Sequence, residues 1–244
     1  MFQNQDFADL SIEKALEFGS YFGRHHVHPT SGAPKGYPEI HLVHRGIDDK
    51  SGDLLLESRT STVAWHSDVT YEEQPPGITF LYIFDKPGSG GDTIFANTAE
   101  AYRRLSPAFR ERLHGLKALH SGFEQADSAR HRGSIVRREP VESVHPIIRT
   151  HPVTGEKSIF VNQQCEFKHG GRTSYYLDAD FQVTRHIVGL KKEESDYLLK
   201  FLFDHIAQGA DFHARVKWTE KAVVAWDVSC HSCRMPLVRQ IDMR

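Results

Sequence analysis

A histidine and an aspartate stand two positions apart in segment 65–71, which reads Trp-His-Ser-Asp-Val-Thr-Tyr. Threonine, valine and aromatic residues are frequent from Thr60 to Tyr71, and this composition predicts a β-strand. Residues i and i+2 of a strand point to the same face, so we expect that His66 and Asp68 can bind one metal ion. Two ligands do not complete a metal site, and the remaining ligands must come from elsewhere in the chain.

The chemistry of such a site depends on the third ligand. Two imidazoles and one carboxylate leave three positions of an octahedral ion open, an arrangement typical of non-haem Fe(II) oxygenases. Zinc hydrolases also combine histidine and carboxylate ligands, but more often through a helical His-Glu-x-x-His motif, which this sequence lacks. A His-x-Asp pair is weak evidence by itself in a chain with 16 histidines. On these residues alone, both an iron oxygenase and a zinc-dependent hydrolase remain open.

Strands predominate among the elements that would position this pair. A basic, polar stretch at 126–138 predicts a mobile surface loop. Many strands with few helices, and no internal repeat or linker, favour one mainly β domain over 1–244, a jelly-roll or barrel with helices packed outside. The predicted strands are 39–44, 60–71, a buried strand at 78–84, 94–96, two strands within 144–161, 212–218 and 222–226. The predicted helices are 9–23, two short helices within 98–116 broken at Ser106-Pro107, and 192–208 with Leu198, Leu199, Phe201, Leu202 and Ile206 facing inward.

The overall composition argues against several classes of protein. A net charge of −2 over 244 residues gives no electrostatic footprint for nucleic acid or an anionic membrane. No run of about 18 apolar residues predicts a membrane span. The first residues lack a signal-peptide pattern, and three cysteines cannot all pair, so we expect a reducing, cytoplasmic location.

Further motifs surround the His-x-Asp segment along the chain. They are Pro75-Pro76, Gly90-Gly91-Asp92-Thr93, Ala101-Tyr102, Leu105-Ser106-Pro107, His145-Pro146, segment 149–155 (Arg-Thr-His-Pro-Val-Thr-Gly), Phe160-Val161-Asn162 and Trp226-Asp227. In combination they resemble the taurine dioxygenase (TauD/TfdA) family of Fe(II)- and 2-oxoglutarate-dependent dioxygenases. The resemblance covers residues 2 to about 227 with one interruption, and it is closest to fungal sulfonate and alkylsulfate dioxygenases through Arg138-Glu139-Pro140 and segment 192–196.

The resemblance implies a fold and a metal site. The fold is a double-stranded β-helix, or jelly-roll, with flanking α-helices. Fe(II) is held by His66, Asp68 and a distal histidine, for which His231 is the candidate. With O2, the family oxidises 2-oxoglutarate to succinate and CO2 and hydroxylates a small anionic substrate, here a sulfonate or a sulfate ester. Family members often form dimers or tetramers, so a homo-oligomer is compatible with the resemblance.

The resemblance also implies residues for the co-substrate and the substrate. Thr93 matches the position that hydrogen-bonds the far carboxylate of 2-oxoglutarate. A C-terminal arginine normally pairs with that carboxylate in bidentate fashion, and Arg239 and Arg244 are the candidates. His28 matches a position that contacts the sulfonate. Thr62 stands where the family often has asparagine, a departure that argues against taurine itself as the substrate, as does the serine at position 31 in place of a common tyrosine.

Three segments depart from the family pattern. The chain starts within the motif at 2–6, an atypical insertion occupies 165–182, and an atypical tail occupies 228–244, so we expect the jelly-roll to be incomplete at both ends. In the tail, His231 comes about two residues early, which displaces it roughly 7 Å along a strand. One hypothesis is that both atypical segments are translated intron sequence, and a clean transcript that encodes both would contradict it. A catalytically impaired relative that binds only metal or a small acid is therefore an alternative to the active dioxygenase.

Overall fold

The structure is a computed structural model. It describes residues 1–43, 65–84, 91–131, 133–163, 183–228 and the backbone of 231–234. The predictions on Thr62, on Arg239 and Arg244, and on the insertion 165–182 fall outside these residues, as does most of the atypical tail.

The helices begin where the sequence provides caps. Ser11 Oγ accepts a hydrogen bond from the amide of Lys14 (3.4 Å), and Asn97 Oδ1 accepts from two amides of the helix that it precedes (both 3.0 Å). Ser106 caps another helix and Pro107 occupies its first turn, which confirms the predicted break. The helices are α1 (Ile12–Ser20), α2 (Thr98–Arg104), α3 (Pro107–Leu113), α4 (Phe123–His131) and α5 (Lys192–Gln208). None of these described helices is long and apolar enough to cross a membrane.

The described strands pair only in antiparallel fashion, in small sheets. The strands are β1 (Ile78–Tyr82), β2 (Thr93–Asn97), β3 (Lys117–Ser121), β4 (Glu142–Pro146), β5 (Ile148–Thr150), β6 (Lys157–Ile159), β7 (Thr184–Ile187), β8 (His213–Val216), β9 (Val223–Asp227) and β10 (His231–Arg234). β2 lies between β8 and β10, and β3 lies between β4 and β7, while β1 pairs with β9 and β5 with β6. The sequence-predicted strands near 78–84, 94–96, 212–218 and 222–226 are therefore present.

The main apolar core joins α5 to the strands and to α2. Leu199, Leu202 and Ile206 are buried on one face of α5, as its helical spacing predicts. Phe201 is 45% exposed, so the prediction that it faces inward is wrong. Its position lies beside the buried face, and its ring packs instead against Phe109 of α3, with centroids 5.0 Å apart.

Two strand predictions differ from the structure. Residues 39–43 form no strand, and the ladder contact that they make within the described part of the chain is an isolated bridge between Leu42 and Gly32. β1 is a strand, but it is not a buried one, since Ile78 is 39% exposed. Its Phe80 contacts Phe18 of α1 (centroids 5.6 Å apart), so cover comes from one amphipathic helix.

Two loop and turn predictions also differ. The predicted loop 126–138 is helical to His131, because Ala126 and Ala129 form a small buried stripe on α4. Segment 144–161, predicted as two strands, contains the end of β4 together with β5 and β6. The proline at 146 ends β4, and the chain starts β5 two residues later.

Candidate active site

His66 and Asp68 lie side by side, as the sequence predicts. His66 Nε2 is 3.6 Å from Asp68 Oδ1, and the side chains are 19% and 34% exposed. Adjacent ligands of an octahedral ion with bonds of about 2.1 Å lie about 3 Å apart, so a small adjustment would let both bind one cation. The partial exposure leaves room for the cation and for small molecules to approach.

The backbone around the pair is a turn, and the predicted strand over 65–71 is wrong. His66 makes a single bridge, and residues 68–71 form a turn in which the amide of Glu72 donates to the carbonyl of Val69 (3.0 Å). Val69 has φ +43°, a left-handed conformation that is rare and strained for a β-branched residue. Residues 66–71, called here the 66–71 turn, therefore depend on surrounding contacts for their shape.

The third metal ligand is untested by the described side chains. Among these residues no group of three histidine, cysteine or acidic side chains converges on one point. His231 belongs to β10, where its backbone pairs with Asn97 at the far end of β2, and its side chain is outside the described part of the chain. Its role as a ligand stays a prediction.

Thr93 is buried at the start of β2, and the hydroxyl oxygen accepts a hydrogen bond from Trp218 Nε1 (2.9 Å). Because this oxygen is already an acceptor, the single hydroxyl hydrogen can be directed to another acceptor, such as a carboxylate. The indole thus orients the side chain for the role that the resemblance implies. Arg239 and Arg244, the proposed partners of the same carboxylate, are not described.

His28 lies in a group of imidazoles in the N-terminal segment. Its ring centroid is 4.6 Å from that of His41 and 6.4 Å from that of His26. Burial, with smaller effects from His41 and His26, lowers the pKa of His28 to about 3, so the ring is neutral near pH 7. The amide of Thr30 donates to His28 Nδ1 (3.2 Å), and from this bond we infer that the ring proton is on Nε2, which can then donate to an anionic oxygen.

The imidazole group lies close enough to Asp68 to interact with it electrostatically. Desolvation lowers the pKa of His41, and the negative charge of Asp68 opposes that shift. His28 is in turn the neighbour of His41. The structure therefore brings the predicted substrate residue His28 and the predicted metal pair to the same region.

Glu72 ties the N-terminal segment to the 66–71 turn. Its Oε1 is 3.2 Å from His26 Nε2 and also accepts a hydrogen bond from Arg138. Burial raises the pKa of Glu72, but the hydrogen bond from His26 and the charge of Arg138 lower it by more, so the carboxyl is held ionised. Next to Arg138, the amide of Arg137 donates to the carbonyl of Pro29 (2.8 Å).

Sequence reasoning missed Glu72 and His41. Glu72 directly follows the His-x-Asp motif, and Arg138 belongs to the Arg-Glu-Pro motif that gave the resemblance its fungal character. The opposite charges of Glu72 and Arg138, which stand in two motifs of the same predicted site, could have indicated this ion pair from the sequence. No comparable local signal marks His41, whose position depends on the fold of the N-terminal segment.

Comparison with protein families gives a match over nearly the whole chain. Residues 1–231 match the family model described as taurine catabolism dioxygenase TauD, TfdA family. The alpha-ketoglutarate-dependent sulfonate dioxygenase of Saccharomyces cerevisiae is 39% identical over 227 residues, which are 93% of this chain and 51% of that protein. The alpha-ketoglutarate-dependent dioxygenase cnsM of Penicillium expansum is 41% identical over 241 residues, which are 95% of this chain and 61% of that protein.

Solved structures show the same similarity. A taurine dioxygenase from Burkholderia xenovorans superposes with a TM-score of 0.64 and 27% identity, over 93% of this chain and 66% of that one. The chain thus spans about half to three fifths of the length of the two curated relatives (51% and 61%).

Proposed function

Because the chain belongs to the taurine catabolism dioxygenase TauD, TfdA family, we propose that it is an Fe(II)- and 2-oxoglutarate-dependent dioxygenase. The proposed reaction consumes O2, converts 2-oxoglutarate to succinate and CO2, and hydroxylates a small anionic sulfonate or sulfate ester. The observation that carries the proposal is the His66–Asp68 pair, with donor atoms 3.6 Å apart and partly open to solvent. The name of the yeast relative supports the sulfonate class.

The donor set of the pair fits Fe(II). An imidazole nitrogen and a carboxylate oxygen are ligands that non-haem Fe(II) sites use. His66 and Asp68 would hold the ion, with His231 proposed as the third ligand. Bound Fe(II) supplies the redox chemistry with O2 that protein side chains lack.

The remaining site residues bind and orient the organic acids. We assign the far carboxylate of 2-oxoglutarate to the Thr93 hydroxyl, which Trp218 already orients, and to Arg239 or Arg244. We assign the sulfonate or sulfate oxygens to Nε2–H of His28, because a neutral imidazole with Nδ1 occupied by an amide donor presents that hydrogen in one direction. Thr62, four residues before His66, is proposed as a further substrate contact.

The fold proposed around this site is the double-stranded β-helix. The antiparallel pairing of the described strands and the superposition on a taurine dioxygenase support it. A cytoplasmic location and assembly into a homo-oligomer remain predictions of the sequence.

The test measures the chelate and turnover separately. Anaerobic addition of Fe(II) and 2-oxoglutarate should give the weak visible charge-transfer band of an iron–keto-acid chelate, and Asp68→Asn should abolish it. Aerobic assays with sulfonates, sulfate esters and aryloxy acids should then show substrate-dependent succinate release. Absence of both band and succinate would contradict the proposal.

The same experiment separates the alternatives. A band without succinate from any acid would indicate a catalytically impaired relative that binds metal and 2-oxoglutarate. Hydrolysis supported by Zn(II) without O2, and abolished in Asp68→Asn, would indicate the zinc-dependent hydrolase.

A further inference from the structure

Asn162 lies directly against the 66–71 turn, far from it in sequence. Its side chain is fully buried, and its Nδ2 donates to the carbonyl of Ser67 (2.7 Å) and to Thr70 Oγ1 (3.0 Å). An amide nitrogen carries two hydrogens, so these two bonds use its donor capacity completely. Ser67 stands between the two proposed metal ligands, and Thr70 is two residues beyond the second.

Thr184 fixes the position from which this amide acts. The backbone amide of Asn162 donates to Thr184 Oγ1 (2.7 Å), and the backbone amide of Thr184 donates back to the carbonyl of Asn162 (3.0 Å). Thr184 is itself buried in β7, next to the central strand β3. The side chain of Asn162 thus extends from a part of the backbone that is held on both of its polar groups.

The second anchor of Asn162 continues into a buried network. Thr70 Oγ1 lies 3.0 Å from His120 Nδ1, and His120 is fully buried in β3. Because Thr70 Oγ1 accepts from Asn162, its own hydrogen can be donated to His120 Nδ1. A chain of hydrogen bonds therefore connects the turn through Thr70 to the central strand of a sheet.

The turn requires such support because its backbone is strained. Val69, between the proposed ligand Asp68 and the anchor Thr70, has φ +43°, a left-handed conformation that is strained for a β-branched residue. From the other side, Ser143 of β4 donates through Oγ to the carbonyl of Tyr71 (2.7 Å). The bond from Asn162 to Ser67 acts directly on the peptide between His66 and Asp68.

We propose that Asn162 is the positioning residue of the metal pair, holding His66 and Asp68 in register by bonding the carbonyl between them and the hydroxyl of Thr70. In this role it acts through the peptide between the two ligands and not by binding the metal itself. It fixes the peptide plane that precedes Asp68, and with it the direction of the carboxylate. This inference rests on the proposed metal-binding function of the His66–Asp68 pair.

The test compares metal affinity with stability. Mn(II) is titrated into the metal-free full chain in the presence of 2-oxoglutarate, and unfolding is measured in urea, for the parent, Asp68→Asn, Asn162→Ala and Ser195→Ala. Ser195 is a matched control, because its buried hydroxyl accepts from the amide of Ile187 (2.8 Å) away from the turn. We expect Asn162→Ala to weaken Mn(II) binding about 10- to 100-fold, the range for residues that orient metal ligands. The Mn(II) affinity of Ser195→Ala should stay within about twofold of the parent, while its loss of stability should be similar to that of Asn162→Ala.

The outcomes separate this inference from the proposed function. If the parent and Asp68→Asn bind Mn(II) equally, the proposed metal site is wrong. If Asp68→Asn loses binding but Asn162→Ala keeps the parent affinity, or if Ser195→Ala loses as much as Asn162→Ala, the positioning role is wrong. Should Asn162→Ala give no cooperative unfolding transition, Thr70→Val removes the second anchor at nearly constant volume. It should weaken Mn(II) binding severalfold, and an unchanged affinity would overturn the role.

Discussion

The two sides of the candidate site are held in place by different kinds of contact. On the metal side, Asn162, Thr70 and His120 are buried and joined by two hydrogen bonds of 3.0 Å, and Asn162 also donates to the carbonyl of Ser67 (2.7 Å). On the substrate side, the segment that carries His28 is tied by Glu72, whose partners His26 and Arg138 are partly exposed. No residue of the preceding helix α1, which the structure describes in full, is buried.

This difference predicts that the metal side fixes the geometry of the proposed metal site, and that the substrate side determines which acid is bound. Leaving a buried polar group unpaired costs about 1–3 kcal/mol, whereas a partly exposed ion pair contributes only about 0–1 kcal/mol. A substitution on the metal side should therefore lower the free energy of unfolding more than a substitution on the substrate side.

Substitution of the proposed metal ligand Asp68 should have the largest effect. Asp68→Asn replaces an anionic ligand with a neutral amide of the same shape, so we expect Mn(II) affinity to fall by more than about 100-fold, beyond the loss typical of residues around the ligands. Urea unfolding should change little, since the Asp68 side chain is 34% exposed. A metal titration checks the first and a urea transition the second. Retained affinity would show that the cation binds elsewhere.

Removal of the Thr93 hydroxyl should weaken binding of the co-substrate and also lower stability, because it leaves the indole N–H of Trp218 without its acceptor. Thr93→Val deletes the proposed donor to the far carboxylate of 2-oxoglutarate, and hydrogen bonds to charged groups contribute about 1.5–3 kcal/mol, so KM for 2-oxoglutarate should rise about 10- to 100-fold. Thr93→Ser keeps the hydroxyl and the bond from Trp218, and it should stay near the parent. An equal rise in both variants would indicate that packing, rather than the hydroxyl, is responsible.

The buried imidazole of the metal side should make stability depend on pH. Burial, with smaller effects from His145 and Arg149, lowers the pKa of His120 to about 3, below its value of about 6.5 in the unfolded chain. As pH falls, the unfolded state therefore binds the proton before the folded state does. The contribution of the neutral, buried His120 to the free energy of unfolding is complete above about pH 6.5 and is lost as pH falls toward 3. One such group gives a slope of up to about 1.4 kcal/mol per pH unit.

The measurement is the free energy of unfolding between pH 4 and 7 for the parent and for His120→Gln. The variant keeps an amide that can accept from Thr70 but does not titrate. Its free energy of unfolding should therefore change less steeply with pH, by up to the slope of about 1.4 kcal/mol per pH unit that one proton gives. His28 titrates in both chains and cancels in the difference. Identical slopes would mean that His120 is not buried as a neutral ring.

The sequence predicts local features of this site better than its distant partners. The His66–Asp68 pair and the helix break at Ser106-Pro107 follow from neighbouring residues. The bonds from Asn162 to Ser67 and Thr70 span 95 and 92 positions, and no local pattern indicates them. These tertiary bonds are also why a strand-like composition over 65–71 forms a turn: side-chain partners replace the ladder that composition predicts.

Substitution of Glu72, which contacts Arg138, 66 positions along the chain, tests most directly whether the metal side and the substrate side are independent. Glu72→Gln keeps a hydrogen-bonding amide but removes the charge that attracts His26 and Arg138. The segment of His28 should loosen, and KM for the sulfonate should rise about two- to fivefold, as expected for an ion pair of up to about 1 kcal/mol. Mn(II) affinity should stay within about twofold of the parent, because the bonds of Asn162 are intact.

The control is Glu139→Gln, which removes a neighbouring charge from a side chain that is 90% exposed. It should change neither the KM for the sulfonate nor the Mn(II) affinity. A loss of metal affinity in Glu72→Gln would show that the two sides are coupled, and an unchanged KM would show that Glu72 does not position His28.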